Sequence, residues 1–332
     1  MSEAFAVNQP PPVPPTADFK DRHGGLIGFG ILVILIGCLC ALFVPLMILG
    51  QMMAAKTTGA TTNLRTMLPA VMVYAVMSVV FIWLGIGSTM ARRWARALLL
   101  ILGWVWLLTG VLMEFFMAIF LPKAFAHVPS GGQPMSQATQ AVAIIVALGF
   151  VSVMFVVLPG LLVLFYRSPH VKATCQARDP VTRWTDACPL PVLALSLLLA
   201  YGAVWMALMM LVYNSVMPFF GLLVSGLPGA IVILPFIALW LYCAWAIYHL
   251  DVAGWWATLI GFGVIITSGL ITFARVDLMD MYRLMGYPPQ QIEQMQRNSF
   301  LTSQNMLVLT AISALPFLGF LLFVKKYFRR TA

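Results

Sequence analysis

The sequence has few charged residues, and this shortage decides the class of protein. Only 9% of its 332 residues are charged, whereas 62% are hydrophobic. A soluble domain carries about 25% charged residues, enough to cover its surface in water. A chain with so little charge cannot cover a surface in this way, so its main solvent is a lipid bilayer.

Motifs of the common catalytic and nucleotide-binding sites are also missing. The sequence contains no G-x-S-x-G, no H-E-x-x-H, no Walker lysine loop and no G-x-G-x-x-G. Its four histidines are scattered singly along the chain. Since no acid, base and nucleophile converge in the pattern, we expect a protein that is not an enzyme and that binds no cofactor.

Long apolar runs fill most of the chain. A spanning helix needs about 20 apolar residues, and the charge-free runs predict eight of them. They cover residues 25–50, 67–90, 97–121, 140–166, 191–213, 229–249, 253–274 and 304–325. The predicted fold class is an all-α polytopic membrane protein with eight transmembrane helices.

The basic residues predict the orientation of these helices. Thirteen of the 19 Lys and Arg lie on one side of the predicted bilayer, and cytoplasmic loops carry such an excess. These are Lys20, Arg22, Arg92, Arg93, Arg96, Arg167, Lys172, Arg178, Arg183, Lys325, Lys326, Arg329 and Arg330. We expect a bacterial inner (plasma) membrane protein with both termini in the cytoplasm. A nucleic-acid footprint would need a dense basic patch with aromatic platforms, so we expect no nucleic-acid partner.

Similar segments in the two halves predict a tandem repeat of two four-helix units. Ala91–Ala95 is echoed by Ala253–Ala257 at an offset of 162 residues, and Leu158-Pro159 by Leu315-Pro316 at 157. Four helices in each half would give both halves the same orientation. The predicted regions are a disordered Pro-rich tail (1–23), a first half (24–166), a cytoplasmic hinge loop (167–190), a second half (191–327) and a short cytoplasmic tail (328–332).

The second half contains a long outer loop, 275–303, with two helical patterns. Leu278, Met281, Tyr282 and Met285 recur at helical spacing and end at Gly286. A second short helix is expected after Tyr287-Pro-Pro289, with Ile292 and Met295 on one face. We expect this helical pair to cap the outer mouth or to lie at the interface.

Glu114 is the one acidic residue within a predicted span, and such residues are functional candidates by default. It lies about 26 Å along the third helix, near the outer face rather than the midplane. We expect it to accept a charge-assisted bond from Arg275, at the same depth if the halves repeat. The alternative is a site for a proton or a solute.

The polar hinge offers a candidate cytoplasmic contact at Arg178, Arg183 and Trp184. Cys175 and Cys188, with His170 and Asp186, are an alternative zinc site, but the spacing lacks paired C-x-x-C knuckles. Cys38 and Cys40 face different directions on a helix, which argues against a soft-metal pair. We therefore predict no metal site.

Three functions are consistent with these features of the sequence. The first is a non-catalytic membrane subunit or scaffold that contacts the lipid bilayer and a membrane or cytoplasmic protein. The second is a transporter or channel-like protein for a neutral or lipid-like solute, since duplicated halves often enclose a site between them. The third is an intramembrane enzyme. A wet central cavity lined by Tyr74, Ser78, Asn214 or Tyr242 would favour transport, and a dry centre would favour the scaffold.

Overall fold

The computed structural model describes residues 19–58, 64–125, 129–130, 133–134, 136–297 and 302–328. Within these ranges, eight helical stretches are long and apolar enough to cross a membrane. The prediction of an all-α protein with eight helices that could span a membrane is therefore confirmed. The proline-rich tract of the N-terminal tail and the last four residues lie outside the described ranges.

The elements follow one another in a regular order. They are α1 (His23–Thr58), α2 (Leu64–Thr89), α3 (Arg93–Phe125), β1 (Pro129–Ser130), β2 (Gln133–Pro134), α4 (Gln137–Ser152), α5 (Leu158–Arg167), α6 (Pro169–Arg178), α7 (Leu190–Val212), β3 (Met217–Phe219), β4 (Leu222–Val224), α8 (Gly226–Tyr248), α9 (Val252–Arg275), α10 (Leu278–Leu284), α11 (Pro289–Arg297) and α12 (Ser303–Phe328). A π-helical segment, Val153–Val157, joins α4 to α5, so that these two helices form one span.

Small residues allow the first two helices to pack closely. A side chain at Gly30 would meet the Gly85 carbonyl oxygen at 2.9 Å, and one at Gly85 would meet the Gly30 carbonyl oxygen at 2.7 Å. Glycines of this kind let helix backbones approach in lipid, where no hydrophobic force drives helices together. One turn away, Ser88 donates to the Leu26 carbonyl and shares a 2.6 Å hydrogen bond with the Tyr166 hydroxyl. These buried contacts fix α1, α2 and α5 at one end of the bundle.

Each half has its own buried cluster. The first centres on Leu26, Phe81, Leu99 and Tyr166, and the second on side chains of α7, α8, α9 and α12. In the second cluster the Trp255 indole donates to the Leu321 carbonyl at 2.9 Å. Burial of a Trp requires a partner for its N–H group, so this bond orients α9 against α12.

The fourth span is interrupted by Pro159. Proline cannot donate the amide hydrogen that the Phe155 carbonyl would accept in a regular helix, and the chain forms the π-helical turn just before it. The Phe155 carbonyl lies directly against Gly110 of α3, where no side chain would fit. Pro159 is therefore accommodated by a π-helical bulge, one of the known causes of helix irregularity.

The turn between α7 and α8 is a β-hairpin rather than a simple turn. β3 and β4 pair antiparallel, with Phe220 and Gly221 at the tip in left-handed conformations. The tip amides donate to Ser268 Oγ at 3.0 Å and Thr272 Oγ1 at 2.9 Å on α9. Irregular backbone beside a membrane span needs such partners, and α9 supplies them from two hydroxyl side chains.

The loop between α9 and α12 contains the two short helices that the sequence predicts. α10 ends just before Gly286, which has φ +84°, and α11 begins at Pro289. Leu278 and Met279 of α10 and Ile292 of α11 are buried. This part of the prediction is confirmed.

Candidate functional site

The segment 167–190 folds against the end of the bundle where α1 begins and α12 ends. We call this end the basic face. The segment was predicted as a loop, but it contains the helix α6 and a 3-10 turn at Trp184–Asp186. Val171, Thr174 and Cys175 of α6 are buried against the first half. The segment is therefore a packed part of the fold.

Asp179, just after α6, is the centre of this face. Its side chain is 2% exposed and lies 3.1 Å from Arg183 and 3.8 Å from Arg92. The backbone amide of Arg93 also donates to it, at 3.3 Å. Burial raises the pKa of Asp179, but the hydrogen bonds from Arg183 and Arg93 and the charges of Arg183 and Arg92 outweigh this, so the pKa lies below its ordinary value.

A second carboxylate, Asp186, continues the network. It lies 3.3 Å from Arg93 Nε and accepts the Arg183 amide hydrogen at 3.0 Å. Arg92 belongs to the connection between α2 and α3 and Arg93 is the first residue of α3, whereas the two aspartates come from the segment that leads into α7. Ion pairs therefore join the start of α3 and the residue before it to the segment 167–190.

A small recess of about 30 Å³ opens beside this network. It is lined by Arg93, Arg96, Ala97, Lys172, Cys175, Gln176 and Asp186. In the described part of the chain, no carboxylate lies within ion-pair distance of Arg96 or Lys172, and the buried Nε of Arg96 has no hydrogen-bond partner. The recess thus contains two cations, Arg96 and Lys172, that have no ion-pair partner among the described residues, and one buried N–H group, at Arg96 Nε, that has no acceptor.

The three predicted contact residues of this face have partners within the protein. Arg178 is 3.1 Å from Asp21 at the start of the chain's described part, and Arg183 binds Asp179. The Trp184 carbonyl accepts a hydrogen bond from the Tyr248 hydroxyl, while its side chain is 48% exposed. Of the three, Trp184 offers the largest free apolar surface, and a role in partner contact stays a prediction.

The cysteines of the segment are buried and lie in separate clusters. Cys175 packs in the first core and Cys188 in the second. Burial raises the pKa of each thiol to about 11, so both are protonated at neutral pH and poor ligands or nucleophiles. Across the described ranges, no three His, Cys, Asp or Glu residues come close enough together to hold a metal ion.

The structure gives Glu114 a different partner from the predicted one. Its carboxylate accepts a short hydrogen bond from Ser152, the last residue of α4 before the π-helical segment. Arg275 instead lies against Gly221 at the tip of the hairpin. The expected contact between Glu114 and Arg275 is therefore wrong, because the first-half carboxylate faces α4 and not the second half.

The polar side chains that would line a central pathway lie apart. Tyr74 packs on Phe43 of α1, and Ser78 is buried where α1 crosses α2 at Gly37. Asn214 donates to the Leu284 carbonyl of α10, and Tyr242 is 44% exposed on α8. Tyr74 and Ser78 of α2 thus pack towards α1, whereas Asn214 and Tyr242 lie in the second half with other surroundings.

A larger recess, about 370 Å³, lies at the opposite end of the molecule. It is lined by Arg283, Tyr287, Pro289, Ile292, Glu293 and Gln296 of α10, α11 and their connection. Tyr287 stacks on Tyr213 and donates to its hydroxyl at 3.2 Å. Burial is the main cause that raises the pKa of Tyr287, so its hydroxyl stays protonated at neutral pH.

These features define a multi-pass membrane protein with a basic face whose arginines are held in place by ion pairs. No protein-family model, curated protein or solved structure matches the chain. The cationic residues were predictable from the sequence, whereas the carboxylates that pair with them were not. Asp179 and Asp186 are two of only 10 acidic residues in the chain, and no local pattern in the sequence links them to the arginines with which they pair.

Proposed function

We propose that the protein is a non-catalytic membrane subunit or scaffold that presents the basic face to a protein partner. The observation that carries this proposal is the ordered segment 167–190. Its ion pairs hold it against the first half, and they leave Val181 and Trp184 exposed at 58% and 48%. Exposed aromatic and aliphatic side chains on a rigid element are the usual anchors of a protein contact.

The basic face is, in this proposal, cytoplasmic in a bacterial inner membrane. Lys and Arg concentrate on it, and such an excess marks the cytoplasmic side. Green fluorescent protein fused after Ala332 should fluoresce, and alkaline phosphatase fused in the α10–α11 connection at Gly286 should be active. Inactive phosphatase at Gly286, together with an active phosphatase fusion after Ala332, would reverse this orientation.

A site-specific photo-crosslinker tests the partner contact. A photoreactive amino acid at Trp184 should yield one discrete adduct with another protein in native membranes. The control position is Leu164, which is 70% exposed on α5 among the lipid-facing residues and should give no protein adduct. The Arg178→Ala variant should lose the partner while remaining folded, because an exposed ion pair contributes little stability. Protein adducts that are absent at Trp184, or equal at both positions, would contradict the scaffold.

A transporter or channel-like protein for a neutral or lipid-like solute is the second candidate. It is supported by a tandem repeat that we infer from matching turns in the two halves. Ala91 and Leu250 both have left-handed φ angles, 53° and 61°. In both turns the next residue donates to a carbonyl five residues back, Arg92 to Gly87 and Asp251 to Ala246. The equivalent residues of the two turns, Ala91 and Leu250, Arg92 and Asp251, and Gly87 and Ala246, are each 159 residues apart.

Helix contacts beside the turns support the same alignment. Gly87 lies against Ala95 in the first half, and Gly254 against Ala246 in the second. Both pairs are again related by 159 residues, as are Gly110 and Gly269. This register differs from the offset of 162 that the Ala91–Ala95 sequence match predicts. Mass spectrometry after purification in mild detergent separates the two functions: a single retained small molecule or lipid, without protein, would favour transport.

A further inference from the structure

The recess beside Asp186 carries more positive charge than its surroundings neutralise. Three cationic side chains of the lining face one carboxylate, which leaves two positive charges in excess. The cations are Arg93, Arg96 and Lys172, and the carboxylate is Asp186. Like charges held together cost free energy unless an anion joins them. The imbalance points to a bound anion.

The position of the arginines strengthens this inference. Arg93 and Arg96 lie in the first turn of α3, which has no acidic residue of its own. The start of a helix carries a partial positive charge, so it favours anions and disfavours cations. The positive charges of Arg92, Arg93 and Arg96 at the start of α3 are therefore unfavourable unless negative charge compensates them. Asp179 and Asp186 compensate Arg92 and Arg93, but neither forms an ion pair with Arg96.

The recess also has the donors that an oxygen-rich anion needs. The Nε of Arg96 is buried without a partner among the described residues, and the Lys172 side chain is exposed at the rim. An arginine beside a lysine is a common arrangement for binding phosphate oxygens. The lining also contains the carboxylate of Asp186, which would repel an anion. Its ion pair with Arg93 and the hydrogen bond from the Arg183 amide offset this repulsion.

We propose that this recess binds a phosphate group through Arg96 and Lys172. The recess, at about 30 Å³, is far too small for a nucleotide, so the phosphate would contact Arg96 and Lys172 at its mouth. The recess lies at the start of α3, at the end of a span. Basic pockets at such positions bind the head groups of anionic lipids. Trp104 lies seven residues after Ala97, on the same side of α3. It is 41% exposed, so an exposed aromatic side chain follows the recess along the span. An anionic phospholipid of the adjacent leaflet would carry the required phosphate, and a soluble phosphate is the other source.

The test is a binding measurement on the purified full-length protein in neutral detergent. Dioctanoyl phosphatidylglycerol, dioctanoyl phosphatidylcholine and inorganic phosphate are titrated separately, and the rise in Tm gives an apparent Kd for each. We expect saturable binding of phosphatidylglycerol and much weaker binding of the zwitterionic phosphatidylcholine. In Lys172→Gln, which removes one charge-assisted contact, the Kd for phosphatidylglycerol should be about tenfold weaker, and Lys172→Arg should restore it.

Lys326→Gln is the matched control. It removes the same charge near the same face, but Lys326 lies over the Phe323 ring and outside the recess, so its Kd should equal that of the wild type. Arg96→Gln should abolish binding, and if it fails to fold, Lys172→Gln decides alone. Inorganic phosphate that protects as well as the lipid, with the same dependence on Lys172, would assign the site to soluble phosphate. An unchanged Kd in Lys172→Gln, or an equal loss in Lys326→Gln, would overturn the proposal.

Discussion

Replacing Gly110 with alanine is expected to destabilise the protein by about 3 kcal/mol or more, at or above the upper end of ordinary overpacking costs. The added methyl group would overlap the Phe155 carbonyl oxygen of the π-helical segment. Backbone atoms cannot rotate away as a side chain can, so α3 and the fourth span would have to separate. We expect a marked fall in the Tm of the detergent-solubilised protein and a loss of monodisperse material.

Gly149 provides the control for this substitution. It lies on α4 in the same span, and a side chain there would meet no atom within 4 Å. Because alanine favours helix more than glycine does, Gly149→Ala should leave the Tm unchanged or raise it slightly. A Gly110→Ala variant as stable as Gly149→Ala would show that α3 and the π-helical segment do not pack as described.

Asp179→Asn should have the second largest effect, a destabilisation of about 2–3 kcal/mol. Removing one partner from a buried ion pair costs about 3–5 kcal/mol, and the partial exposure of Arg92 and Arg183 reduces this figure. The asparagine keeps the size of the side chain and removes its charge, so the two guanidinium groups would repel each other. The Tm of the purified protein measures the loss.

The dependence on pH gives this prediction a second readout. The pKa of Asp179 is lower in the folded protein, so its charge stabilises the fold at neutral pH, and this contribution is lost as the pH falls below about 4. The difference in Tm between wild type and Asp179→Asn should therefore shrink in acid. Asp280→Asn, which breaks an exposed pair with Arg283, should change stability by less than about 1 kcal/mol at any pH. Equal effects of the two substitutions would contradict the central role of Asp179.

The spans could be predicted from the sequence because bilayer solvation leaves a long, uninterrupted signal. Each span is an apolar run bounded by charge or proline, and the structure extends several predicted helices by only a few residues. The two short helices after α9 were also predictable, since Gly286 and Pro289 end one and begin the other. Local chemistry determines all of these elements.

Contacts between distant parts of the chain could not be predicted in this way. The sequence does not indicate that Asp179 would meet Arg92, since 87 residues separate them and no local pattern links them. The hairpin β3–β4 reads as an apolar turn, because the hydroxyl groups that satisfy it lie about 50 residues away on α9. Glu114 was assigned to the wrong partner for the same reason: its depth in the span was predictable, and the neighbouring helix was not.

The ion pairs around Asp179 have a mechanical consequence. A transporter with duplicated halves works by rocking one half against the other around a fixed site. Here the segment that leads into the second half is joined to the α2–α3 turn of the first half by a carboxylate that is 2% exposed. The same segment accepts a hydrogen bond from the Tyr248 hydroxyl of α8 at the Trp184 carbonyl, so rocking would strain its contacts with one half or the other. The segment that connects the halves therefore resists their relative rotation. This property suits a rigid scaffold better than a transporter that must change conformation.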